Sequence, residues 1–86
     1  MKLEAYAVHD SAVGAFNAPM FFRSRGEAVR SFQDACGDPK AGFRAHAEHF
    51  SFWYVGEFNM SDGSLGSVAP ERVCGALDFV IGEFLS

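Results

Sequence analysis

Cysteine is scarce in this chain of 86 residues: Cys36 and Cys74 stand far apart, with no CxxC pair. That argues against a disulfide framework and a cysteine-rich zinc module and points to a reducing compartment, with each thiol a small buried hydrophobe and a single disulfide between the two the lesser alternative. Long apolar runs are also missing. The start, MKLEAYAVHD, carries Glu4 and no continuous hydrophobic stretch, and the tail VCGALDFVIGEFLS is broken by Asp78 and Glu83. Neither reads as a signal segment or a bilayer span, so a cytosolic protein with no membrane partner is expected. Positive charge is short: seven Lys and Arg against eleven Asp and Glu leave a net charge of −4. Such a chain gains nothing from long-range attraction to phosphate. Catalytic signatures are absent too. There is no G-x-S-x-G, since GSLG at 63–66 lacks the spacing, no glycine-rich phosphate loop and no paired carboxylates at a strand end. No catalytic residue, no enzymatic activity and no cofactor is expected.

What the chain has in quantity is aromatic carbon. Ten residues are Phe, and 49% of the chain is apolar. A domain of this size buries only about 60–65% of its unfolded surface, but each buried aromatic removes about 150–250 Å² from water. Residues 1–86 therefore read as one domain with a compact core.

Residues 3–9, LEAYAVH, are short, apolar and bounded by Asp10-Ser11, which suits a first strand. A loop or hairpin connection over 10–18 leads to a second strand, PMFFR at 19–23, opened by Pro19 where no ladder donor is needed. Ser24-Arg25-Gly26-Glu27 has the capping-box form, and Ala28, Val29, Phe32, Ala35 and Cys36 follow on one helical face, stopped by Gly37 and Pro39. After a polar connection over 38–49, FSFWYVGEFNM at 50–60 is the strongest strand, with Phe52, Tyr54, Phe58 and Met60 on one face and Trp53, Val55, Glu57 and Asn59 on the other. Asp62-Gly63 marks a hairpin turn, with a short return strand over 65–68. From Pro70 onward, Val73, Ala76, Leu77, Val80, Ile81 and Phe84 repeat as a helical stripe. Gly75 and Gly82 weigh against it, and a shorter helix followed by an extended FVIGEFL is the competing reading. The fold class expected is α+β, a small, mostly antiparallel sheet of about four strands with one or two helices packed on one face.

Three chemistries are open to these residues. His46-Ala47-Glu48-His49 sets two imidazoles three apart around a carboxylate, with His9 a third imidazole. Zinc takes three or four ligands, and neither cysteine is suitably spaced, so the plain reading is a solvated polar loop without metal. Nucleic acid would have to use the middle third, because residues 1–22 carry −1, residues 23–49 carry +1 and residues 50–86 carry −4. The candidate contacts are Arg23, Arg25, Arg30, Lys40 and Arg44, with Phe21, Phe22 and Phe43 nearby as rings that can stack on bases if exposed, Phe22 being the one carried into the candidate site. Against this, Arg30 has Glu27 at i−3 and Asp34 at i+4 as helix partners. Protein association is the third: Trp53, Val55 and Phe79 exceed what one side of a small sheet buries, which fits a homo-oligomer or a partner surface.

The ordered set of motifs is more specific than any one of them. Val8-His9-Asp10, Phe16-Asn17-Ala18-Pro19-Met20-Phe21, Ala28-Val29-Arg30-Ser31-Phe32, Asp38-Pro39 and Gly56-Glu57-Phe58 follow one another over residues 5–63. This resembles the small nonstructural protein of gokushovirus-like microviruses, which are single-stranded DNA phages. The loop His46-Ala47-Glu48-His49 departs from the family's His-Pro-Glu-Asp form. The resemblance implies a non-enzymatic protein made in the bacterial host cytoplasm and absent from the mature virion. It also implies a role in single-stranded genome synthesis or packaging, described for such proteins as DNA-binding, with single-stranded DNA or the replication and packaging complex as partner. The alternative is a protein–protein interaction module that recruits a phage or host protein without touching DNA.

Overall fold

A computed structural model of the protein describes residues 1–79. Five strands and one main helix follow in the order β1 (Lys2–Asp10), β2 (Ala15–Phe16), β3 (Met20–Phe22), α1 (Arg25–Gly37), β4 (Phe50–Asn59) and β5 (Leu65–Gly75), with a 3-10 turn at Ala47–His49 before β4. All pairings are antiparallel. The sheet runs β2-β1-β4-β5, and β3 pairs the same edge of β1 as β2, further toward its start. The α+β class is as expected.

The helix begins where its capping box places it. Ser24 is extended (φ −153, ψ 162), and its hydroxyl accepts the Glu27 N–H at 3.2 Å. Glu27 reaches back one residue beyond the cap, to the Arg23 N–H. Ala28, Phe32 and Cys36 are buried from this helix and meet Tyr6, Val8 and Phe52 of the sheet. Phe32 stacks on Phe52 at 4.7 Å, and Phe52 stacks on Tyr6 at 5.3 Å, so three near-parallel rings tie helix to sheet.

The last third differs from the helical reading. Residues 65–75 form a single long strand, and only 77–79 turn helical. A hairpin tightened at Gly63 (φ +76) keeps β5 in register with β4 from Phe58↔Leu65 to Ser51↔Gly75. A helix from Pro70 would forfeit that ladder and place Gly75 in its interior, so tertiary pairing overrides the apolar stripe. Pro70 is tolerated because β5 is an edge strand. Val80, Ile81, Gly82 and Phe84 lie outside the described residues.

Three register shifts decide which way the side chains point, and the one between Phe52 and Trp53 leaves Val73 as an extra residue of β5 between Arg72 and Cys74. Opposite Ala5 and Tyr6, β4 presents Gly56 and Tyr54, so Val55 is an extra residue, and three residues of β5, Val68 to Pro70, lie in the same gap. An inserted residue inverts the side-chain alternation beyond it. Phe58 therefore does not share a face with Phe52 and Tyr54, as strict alternation predicted; it lies on the side of Trp53. At the bulge a Cβ on Gly56 would run into the backbone carbonyl oxygen of Gly66.

A carboxylate-free aromatic face

Residues directly opposite in an antiparallel ladder point to the same side, so the registers sort every paired strand residue. The helix-covered side takes Glu4, Tyr6, Val8 and Asp10 of β1, Met20 and Phe22 of β3, Phe50, Phe52, Tyr54 and Glu57 of β4, and Glu71 and Cys74 of β5. The other side takes Leu3, Ala5, Ala7, His9, Phe16, Phe21, Ser51, Trp53, Phe58 and Arg72. All four carboxylates at paired positions, Glu4, Asp10, Glu57 and Glu71, fall on the covered side.

The bare side has two groups of rings. Phe16 meets His9 at 4.6 Å and Trp53 at 5.8 Å, edge to face with the indole. Phe21 meets Phe58 at 5.9 Å. Their strand partners, His9 and Ala5, are four residues apart on β1, which separates the groups by about 13 Å. Phe16 and Phe21 remain 44% and 42% exposed, while Ala5 and Ala7 beneath them are buried. Trp53 Nε1 donates to Ser51 Oγ at 2.8 Å, which satisfies the indole and fixes its orientation. Arg72, opposite Trp53, lies across Gly75: a Cβ there would stand 2.6 Å from Arg72 Nη2. Among the described residues no carboxylate pairs with Arg72.

The residues proposed from sequence for nucleic acid lie elsewhere. Phe22 points to the covered side, half-buried against Tyr6 at 6.1 Å, and Phe21 is the exposed member of the pair. Arg25 is engaged: its Nη1 is 3.3 Å from Glu71 Oε1, its Nε donates to Tyr6 Oη at 3.4 Å, and its guanidinium sits 5.7 Å from the Tyr54 ring centre. Tyr6 in turn donates to Glu4 at 2.7 Å. Burial first, then the bond to Glu4, raises the Tyr6 phenol above its ordinary value, and Arg25 partly offsets this. Arg23 is exposed and 3.9 Å from Glu27, the carboxylate expected to serve Arg30. Arg30, Lys40 and Arg44 are exposed on the helix and the loop after it. The structure does not gather these five cations into one patch with Phe22.

Sequence reasoning passed over Arg72, which sits in the most acidic third of the chain. Its signal was local: a cation two residues after Pro70, in a segment that can return along β4. Cys36 and Cys74 are free thiols facing the core, and burial pushes both up to about 11. No helix among the described residues is long and apolar enough to cross a membrane.

No curated protein and no solved structure matches the chain. One family model does, over residues 3–79, a span that takes in every strand and helix described above apart from Lys2. The chain belongs to the family described as Phage ORF5 protein.

Proposed function

We propose that this protein is a non-enzymatic phage accessory protein that binds single-stranded DNA on the bare face of its sheet, during genome synthesis or packaging in the host cytoplasm. The observation that carries the reading is the sorting of charge: a protein of net charge −4 places every paired-strand carboxylate on the side away from four aromatic rings and Arg72. Unpaired bases stack on Phe and Trp at about 1–3 kcal/mol per base, without need of sequence-specific hydrogen bonds. Phosphates along such a strand meet Arg72 and the exposed Arg23 beyond β3 rather than carboxylates. The likeness to the gokushovirus-like nonstructural proteins supports the same reading, since their genomes are single-stranded DNA.

The test is a titration of Trp53 fluorescence with an oligothymidine at two salt concentrations. Contact with two to four phosphates gives a log–log salt slope of about −1.4 to −2.8 for a single strand. Replacing Phe16 and Phe21 by Ala weakens binding about tenfold or more, whereas Lys40→Gln, far from the face, leaves it within about twofold. No binding at low salt by the folded protein would overturn the DNA reading and assign the face to a protein partner.

A further inference from the structure

The loop between α1 and β4 holds a second cluster, and none of its three donor residues is among those assigned to the aromatic face. His46, Glu48 and His49 bring their ligand atoms within 4.8 Å of one another. The cause is local backbone geometry. The His49 N–H donates to the His46 carbonyl at 2.9 Å and closes a 3-10 turn, in which residues i and i+3 eclipse. The two imidazoles therefore leave the turn on one side, with ring centres 6.1 Å apart.

A neighbour orients the second imidazole. His49 Nδ1 lies 3.4 Å from Ser11 Oγ, and the Ser11 N–H donates to the His49 carbonyl at 2.9 Å, which joins the loop to the turn after β1. In the tautomer whose Nδ1–H donates to Ser11, the ligating lone pair is on Nε2, the nitrogen 3.4 Å from Glu48 Oε1. That is the outer-shell arrangement that fixes tautomer and ring direction in histidine–metal sites.

We infer that His46, Glu48 and His49 bind one divalent transition-metal ion of the zinc type, with Ser11 as the positioning residue for His49. Two imidazoles and a carboxylate are a donor set zinc accepts, leaving a fourth position for water. At bond lengths of about 2.0–2.2 Å the donors of a tetrahedral site stand about 3.3–3.5 Å apart, so side-chain shifts of about 1 Å close the site. His46 and Glu48 are exposed and free to make them. A cavity of about 170 Å³ beside Glu48 and His49, reaching Ser51 and Arg72, leaves room for the water.

The full chain, stripped with a chelator, is titrated with Zn²⁺ by calorimetry and with Co²⁺ by visible absorption. One ion per chain is expected, with the intense d–d bands of a tetrahedral cobalt site. His46→Ala and His49→Ala each weaken binding at least tenfold, Glu48→Gln less, and Ser11→Ala about tenfold, in line with the usual outer-shell effect. His9→Ala leaves binding unchanged. Circular dichroism verifies that the variants fold, and His46 is exposed enough that its loss spares the core. Absence of saturable binding by the unmodified chain would overturn the inference, as would binding by His46→Ala and His49→Ala as tight as that of the unmodified chain.

Discussion

Tyr6 and Ala7 are neighbours in β1, yet Tyr6 is held among Phe22, Phe52 and Tyr54 under α1, while Ala7 shares its face with Trp53, where no helix lies among the described residues. The covered side has the stacked rings of Phe32, Phe52 and Tyr6, the thiols and the four paired-strand carboxylates. The bare side has rings that touch in pairs, a cation and no strand carboxylate. Both sides are rich in aromatic carbon, so hydrophobicity alone does not distinguish core from surface here. What separates them is where charge is allowed. On the covered side Glu4 and Glu71 stay near the rim and are matched by the Tyr6 hydroxyl and Arg25; on the bare side no paired strand position among the described residues holds an acid.

The largest expected effect comes from breaking the covered side. Phe32→Ala removes the ring that links α1 to Phe52 and should cost about 3–5 kcal/mol, enough to unfold much of a domain this small. Phe16→Ala, on a ring already 44% exposed, should cost about 1 kcal/mol. Urea midpoints of the two variants measure the contrast, and equal losses would erase it. Next is the device that puts Phe58 on the bare side. Gly56→Ala drives a methyl into the Gly66 carbonyl and should destabilise by about 1–3 kcal/mol, with exchange protection lost first in the β4–β5 hairpin.

Alkali should act on the covered side through its protons. Burial raises the Cys36 and Cys74 thiols from 9.0 to about 11, and raises Tyr6 as well. The unfolded chain releases these protons at lower pH than the native one, so stability is full below pH 9 and falls as pH rises toward about 11. The same burial makes both thiols slow toward alkylating reagents at pH 8; rapid labelling of the folded protein would contradict it. The smallest effect belongs to the rim. Arg25 and Glu71 are both about half exposed, so Arg25→Gln should cost less than about 1 kcal/mol, and less still in high salt. It should nonetheless move the Tyr6 phenol further upward in an absorbance titration, because Arg25 lowers it.

The elements of the first two-thirds were legible because local chemistry agrees with tertiary structure there. The Ser24 cap, the Ala28–Cys36 face and the short apolar run of residues 3–9 each point to the structure found. The last third was misread where the two conflict: the stripe from Val73 fits a helix, but the chain has β4 beside it. The candidate face was hidden by parity. One extra residue at Val55 transfers Phe58 from one side to the other, and a mid-strand glycine such as Gly56 is the one local sign of such a bulge. For Phe21 and Phe22, alternation shows that the two diverge without showing which side the helix takes.

The irregular outer strand has a further consequence. Among the described residues β5, eleven residues long, has no strand on its outer side, and an edge of that length normally templates the addition of a strand from another molecule. Pro70 offers no donor to an incoming chain, and the displaced run from Val68 to Pro70 breaks the straight row of groups that such a chain would need. Edge-to-edge fusion of sheets along β5 is thereby disfavoured.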